Sequence, residues 1–357
     1  ERAGSHPLPP VELVDLRSAP RIREAGAVPW SAELDRAVDA ALARRELIFL
    51  LLNRRGFAAI LQCPACGAVR DCPHCSIALT VHQAPPGLRC HYCGHDEPIP
   101  DGCPACGSPI QRMRGVGTQQ LERFLGGRFP AARLARMDLD TTSAKWSHQA
   151  ILDRVGSGEV DILLGTQMIA KGLDFPNVTL VGVVDADVGL HLPDFRSAER
   201  TFQLLAQVAG RAGRGPKGGR VIVQTRNPEH YALVTAARHD AEGFLEQELR
   251  QRSEPPYPPL RALVNLLVSG EAERRTSGAA ARVADWCRAL VESQRLEVDV
   301  LGPAPAALAR IKGRWRWHVV LRGEGEALGR IVRYATEHLP QPAGTRVVID
   351  RDPVSLL

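Results

Sequence analysis

The sequence predicts an α/β protein: a doubly wound parallel sheet, interrupted near its first strand by a cysteine-rich insertion and followed by a small second α/β unit. Two observations carry this expectation. Apolar runs of strand length alternate with stretches of helical periodicity through the first two thirds of the chain, as when strands buried on both faces are crossed over by helices. Eight of the nine cysteines, moreover, fall between Cys63 and Cys106 as four Cys-x-x-Cys pairs. At 357 residues and 44% apolar content the chain can hold two or three domains with real cores.

Residues 1–30 are proline-rich and read as a linker or the tail of something upstream, with one short strand at Val11 to Leu16. The first Glu, where a methionine is usual, marks the sequence as a fragment or a processed chain. Leu34, Val38, Ala41 and Leu42 recur at helical spacing, and the run Leu47 to Leu52 is a buried strand. Past the cysteines, helices are expected at Thr118 to Leu125 and Gln149 to Val155. Strands are expected at Ala132 to Met137, Val160 to Leu164, Val178 to Val184 and Arg220 to Gln224. The prolines of Pro255-Pro256-Tyr257-Pro258-Pro259 mark a boundary. Beyond it, strands at Leu263 to Val268, Trp317 to Leu321 and Arg346 to Ile349 suit a final α/β domain.

Thiolates two residues apart reach the same tetrahedral ion, so four pairs supply two closed four-cysteine zinc sites. Between Cys75 and Cys90 lie 14 residues, Ser76 to Arg89, close to a zinc-ribbon spacer. Cys72, Cys75, Cys90 and Cys93 are therefore assigned to an inner site. Cys63, Cys66, Cys103 and Cys106 remain for an outer one, whose knuckles are the matched sequences Cys-Pro-Ala-Cys-Gly. The sites are nested. No apolar segment is long enough for a signal or a membrane span, which argues against a secreted disulfide framework. His74, His82, His91 and His95 are read as solvent-facing, since eight thiolates already fill two tetrahedra, and Cys287 as an ordinary buried thiol.

The net charge is +5, but only Lys145, Lys171, Lys217 and Lys312 among the 45 basic residues are lysine. That bias looks more like an arginine-favouring genome than a polyanion surface. The clusters say more: Arg54-Arg55, Arg112 with Arg114, Arg211 to Lys217 and Lys312 to Arg316 gather around glycines or aromatics. Two segments carry chemistry. Gly165-Thr-Gln-Met-Ile-Ala-Lys-Gly-Leu-Asp-Phe175 follows a strand, at the sheet edge where functional loops collect, and its amides, Thr166 hydroxyl and Lys171 suit a backbone phosphate. Gln203-Leu-Leu-Ala-Gln207-Val-Ala-Gly-Arg211-Ala-Gly-Arg214-Gly215, assigned to the same edge, is a helix ending in glycine-spaced arginines, suited to the spread charge of a transferring phosphoryl group.

In this order the two segments resemble motifs V and VI of superfamily 2 helicases. More narrowly, Asn53-Arg-Arg-Gly-Phe57 followed at once by the four cysteine pairs, Asp194-Phe-Arg-Ser-Ala-Glu-Arg200, and Gly313-Arg-Trp-Arg-Trp317 resemble the replication-restart DNA helicases of the primosome, over Val11 to Pro353. The resemblance implies a RecA-like second motor lobe at 31–62 and 107–240, a zinc insertion at 63–106, and a C-terminal α/β domain at 254–357. It implies that Arg211 and Arg214 reach the γ-phosphate of ATP with Gln207 alongside, and that Gly172 and Asp174 lie near the nucleotide. Thr166, Gln167 and Lys171 would grip DNA, with Arg54 and Arg55 at the edge of its track. Two zinc ions per chain, and ATP and Mg2+ in the complete protein, are the implied cofactors. Forked DNA, single-stranded-DNA-binding protein and other primosome proteins are the implied partners of a monomer in the bacterial cytoplasm, associated with the nucleoid.

The sequence has no G-x-x-x-x-G-K-[ST] P-loop and no Asp-Glu pair following a strand. The expectation is therefore an ATP-dependent 3′ to 5′ helicase whose nucleotide-binding lobe lies upstream, this chain being inactive alone. The alternative is a non-catalytic zinc-containing scaffold that binds DNA and recruits replication proteins. In Gly313 to Trp317, alternation sets the tryptophans on one strand face and the arginines on the other, leaving open whether the rings are core or contact a partner.

Overall fold

The computed structural model describes residues 8–26, 28–52, 60–83, 86–109, 112–113, 118–138, 147–166, 177–213, 215 and 217–356. The elements begin with β1 (Val11–Asp15), α1 (Ala32–Ala43) and β2 (Leu47–Leu51). The cysteine-rich region adds β3 (Leu61–Gln62), β4 (Thr80–Gln83), β5 (Pro86–Arg89), β6 (Asp96–Glu97) and β7 (Arg112–Met113). Then come α2 (Thr118–Arg128), β8 (Leu134–Met137), α3 (Ser147–Gly156), β9 (Ile162–Gly165), β10 (Val178–Val183), α4 (Asp187–Leu190), α5 (Ser197–Ala209), β11 (Arg220–Thr225), α6 (Tyr231–Ala237) and α7 (Ala241–Gln251). The last part comprises β12 (Ala262–Gly270), α8 (Glu273–Ser293), β13 (Val298–Ile311), β14 (Arg314–Gly323), α9 (Gly325–His338) and β15 (Thr345–Arg351).

Six strands form a parallel sheet in the order β1-β11-β10-β2-β9-β8. Every residue of β2 and β10 is buried, as the unbroken apolar runs require. One face packs under Leu204, Leu205, Val208 and Leu233 of α5 and α6, the other under Leu34, Val38, Leu121 and Leu125 of α1 and α2. The sheet is thus covered on both sides.

The proline-rich start, read as a linker, is part of this sheet. β1 pairs with β11 along its whole length, from Val11 opposite Val221 to Asp15 opposite Thr225. Buried Gln224 of β11 holds the following segment by donating to Pro29 O (2.6 Å) and accepting from Ser31 N (2.8 Å), and Trp30 is fully buried. Ser31 then caps α1 through its Oγ. The short strand expected at Val11 to Leu16 is present, and the prolines that suggested a linker lie just before it, at the edge of the sheet.

The C-terminal part is an antiparallel sheet in the order β13-β14-β12-β15, with α8 and α9 against one face through Val283, Cys287, Ile331 and Ala335. Cys287 is fully buried, and burial pushes its thiol up to about 12. β13 escapes sequence reading because Gly302, Pro303 and Pro305 interrupt it. Its pairing with β14 shifts register between Leu301 and Ala304, as an irregular edge strand allows.

Candidate motor site and metal centres

The cysteine region leaves the parallel sheet after β2 and returns to it before α2, closed at its base by the antiparallel pair β3 and β7. A three-stranded sheet β4-β5-β6 lies inside it. The eight thiols form two clusters, one of Cys63, Cys66, Cys103 and Cys106 and one of Cys72, Cys75, Cys90 and Cys93, with the four Sγ of each within 4.8 Å of one another. Sulfurs from facing knuckles stand 3.7 Å apart in the pairs Cys63–Cys106 and Cys66–Cys103, and 3.6 Å in Cys72–Cys93. A tetrahedron with metal–sulfur bonds of about 2.3 Å has edges of about 3.8 Å, so both clusters fit a four-thiolate zinc ion.

All four knuckles share one backbone form. The amide of the fifth residue donates to the first cysteine's carbonyl in Gly67 to Cys63, Ser76 to Cys72, Gly94 to Cys90 and Gly107 to Cys103. Each first cysteine's amide donates in turn to the residue five positions on. The turn puts the fifth residue at positive φ: 79°, 82° and 72° for the glycines, and 49° for Ser76. Amides then point at sulfur, as Tyr92 N at Cys90 Sγ and His95 N at Cys93 Sγ, both 3.4 Å.

The inner knuckle is not a free surface. Tyr92 is buried between three parts of the chain: its hydroxyl accepts from Phe195 N (3.3 Å), ahead of α5, and its ring meets Tyr257 and His318 of the C-terminal part. Tyr257 in turn donates to Cys75 O (2.9 Å) and stacks on Phe195 with centroids 4.8 Å apart. His91, read as solvent-facing, is buried instead. Its Nδ1 meets Pro305 O at 2.8 Å, His318 Nε2 lies against its carbonyl, and burial holds the His91 ring down at about 4. The partners lie more than 200 residues away along the chain, which no local pattern reveals.

A buried aspartate binds the entry of the cysteine region to the parallel sheet. Asp187, fully buried at the start of α4, accepts from Thr225 Oγ1 (2.5 Å), Arg226 N (2.9 Å), Asn227 Nδ2 (3.2 Å) and Gln62 Nε2 (3.2 Å). Sequence reading missed Asp187 and Gln62. The available signal was an acidic pair, Asp185 and Asp187, just past a fully buried strand. Gly67 of the outer knuckle sits against the same corner, where a Cβ would come within 2.5 Å of Arg226 O.

Of the first phosphate-type segment the structure describes Gly165 and Thr166. Thr166 follows Gly165 at the carboxyl end of β9 and is half-buried. Helix α5 starts beyond the carboxyl end of β10 and runs back beside the sheet, so its last residues reach the amino end, where Gly213 N donates to Val178 O (3.0 Å). Arg211 therefore sits at the edge opposite to the expected one, because a helix between parallel strands runs antiparallel to them. Gln207 is exposed on the last turn of α5 and Arg211 half-buried just after it. Gly213, at φ 68°, lies so close to Gly219 that a Cβ would come within 2.6 Å of its amide, which anchors the turn to the start of β11. Arg54, Arg55, Gln167, Lys171, Gly172, Asp174 and Arg214 lie outside the described residues.

A parallel sheet with an arginine-bearing turn at one end and an insertion carrying two four-cysteine clusters defines the C-terminal lobe of a helicase with a zinc ribbon, and comparison with known proteins agrees. Residues 117–216 match the helicase conserved C-terminal domain, 72–98 the Cys-rich region domain of the PriA DNA helicase, and 253–354 the primosomal protein N C-terminal domain. The chain belongs to the PriA family. It is 43% identical over 360 residues to replication restart protein PriA of Bacillus subtilis, covering all of this chain and 44% of that protein. To the protein of the same name from Synechocystis it is 41% identical, covering all of this chain and 43% of the relative. It thus spans less than half the length of these relatives. Among solved structures, the C-terminal domain of the DEAD-box protein Dbp5 aligns over 65% of this chain and 84% of its own, at 10% identity and a TM-score of 0.34. No helix among the described residues is long and apolar enough to cross a membrane.

Proposed function

We propose that this chain is the C-terminal motor part of an ATP-dependent 3′ to 5′ DNA helicase that recognises stalled or abandoned replication forks and starts primosome assembly. The family membership supports this reading, and so does the turn after α5, tethered by Gly213 to β10 and β11. Arg211 and Arg214 stabilise the charge that spreads over a transferring phosphoryl group, with Gln207 beside them; their guanidiniums act by position, not by bond chemistry. ATP and Mg2+ are held at a P-loop that this sequence does not contain, so the chain alone hydrolyses nothing. Gly172 and Asp174 complete the nucleotide side. Thr166, Gln167 and Lys171, with Arg54 and Arg55, hold the DNA backbone.

The zinc ligands are the two sets of four cysteines, two ions per chain. Closed all-thiolate sites leave no position for water, so their role is to shape and hold a surface. The partners are forked DNA, single-stranded-DNA-binding protein and primosome proteins, met by a monomer in the bacterial cytoplasm. The test uses the complete protein carrying Arg211→Ala and Arg214→Ala. DNA-stimulated ATP hydrolysis falls by roughly a thousandfold or more while zinc content stays at two per chain. Normal turnover in these variants removes the arginine-finger role.

A further inference from the structure

Asp194-Phe-Arg-Ser-Ala-Glu-Arg200, one of the segments that carry the family resemblance, has no part in the proposed nucleotide, DNA or zinc chemistry. Its side chains are engaged elsewhere. After β15 the chain turns at Asp352, at φ 54°, and leaves the C-terminal sheet to lie against the start of α5 as a strap, Pro353 to Leu356. Arg196 donates to Val354 O at 2.9 Å and to Pro353 O at 3.3 Å, and Arg200 donates to the same Val354 carbonyl at 2.6 Å. Both guanidiniums grip backbone, and Val354 itself is 78% exposed.

Asp194 ties the two strands of this clasp together. It is buried and accepts from Arg200 (3.0 Å) and the Arg196 amide (2.9 Å) on its own segment, and from Ser355 Oγ and Leu356 N (both 3.4 Å) on the strap. A buried carboxylate needs such partners. Leu356 is buried in the apolar cluster that also holds Tyr92, Tyr257 and Val320. Phe195 stacks on Tyr257 and lies 5.1 Å from the Arg252 guanidinium, which donates to Glu199 at 2.6 Å. Every charged or aromatic side chain of the segment is therefore held by the strap, by its neighbours in the segment, or by the residues between α7 and β12. Domains of one chain move relative to one another unless the interface between them is firm. Here the C-terminal sheet leaves the lobe through residues 252–261 and returns to it through 353–356. Attachment at both ends of its chain opposes rotation about a single hinge.

We propose that Asp194, Arg196 and Arg200, with the strap Pro353 to Leu356, form a latch that makes the C-terminal sheet travel with the motor lobe, so that ATP-driven movement of the lobe reaches whatever that sheet holds. The three are positioning residues that act through the strap. This rests on the reading of the protein as an ATP-dependent helicase. The test uses the complete, zinc-loaded protein and measures DNA-stimulated ATP hydrolysis and strand separation on the same labelled fork. Arg196→Gln and, separately, removal of residues 353–357 leave hydrolysis within about twofold of the parent and lower the base pairs opened per ATP by about fivefold or more. Arg196→Gln keeps the Asp194–Arg200 pair, so the answer does not depend on the deletion folding. Val283→Ala, in the core beneath α8, is the control for a general loss of stability. An unchanged ratio in every latch variant that retains its zinc overturns the latch. So does hydrolysis lost in step with strand separation, or an equal fall of the ratio in the Val283→Ala control. A parent protein that hydrolyses ATP but separates no strands, or hydrolyses none, overturns the helicase reading itself, and the latch with it.

Discussion

Ser76 stands where the other three knuckles have glycine, at φ 49°. An L side chain at such a position costs about 1 kcal/mol, so Ser76→Gly is expected to raise the stability of the zinc-loaded chain by that amount in denaturant unfolding. His230 makes a second prediction. Burial, reinforced by His191 and opposed by Asp187, holds it at about 4, and its Nδ1 accepts from Ala232 N to cap α6. Between pH 6.5 and 4 the unfolded chain binds a proton that the folded chain refuses, so stability is full above about 6.5 and falls as pH drops. His230→Asn keeps a capping oxygen and should lose less stability between pH 7 and 4 than the parent, by about 3 kcal/mol, in paired unfolding curves. At this scale the cysteine pairs were legible because Cys-x-x-Cys is local chemistry. The burial of His91 and the hub at Asp187 were not, since each depends on partners far along the chain.

Among the elements, the strongly periodic ones were readable. α1, β2, β9, β10 and β11 lie close to their expected positions because both faces of the sheet demand apolar residues, and the run lengths record that demand. β13, an edge strand, carries Pro303 and Pro305, which mimic a loop, while β1 was expected as a strand but follows directly on Pro9 and Pro10, which made its segment read as a linker. The direction of α5 was not visible in its residues either, yet it decides where Arg211 stands. Gly213 holds that placement through positive φ and its approach to Gly219. Gly213→Ala is therefore expected to destabilise the lobe by roughly 2 kcal/mol or more. In the complete protein it should lower ATP turnover even at temperatures where the variant remains folded. Unaltered stability would mean that the turn accommodates a side chain.

On the scale of the whole molecule, the cysteine region is a joint more than an appendage. Its inner knuckle joins the residues ahead of α5, through Tyr92 and Phe195, to the C-terminal sheet, through Tyr257, His318 and Pro305. Its outer knuckle abuts the end of β11 at Arg226. Zinc loss should then be felt outside residues 63–106. Hydrogen exchange read by mass spectrometry, on the chain with and without a zinc chelator, tests this most directly. The account predicts that chelation removes protection together from the cysteine region, from Phe195 and the start of α5, and from the Ala304–Ala306 and His318–Arg322 stretches, while β2 and β10 stay protected. Loss confined to the cysteine region would contradict it.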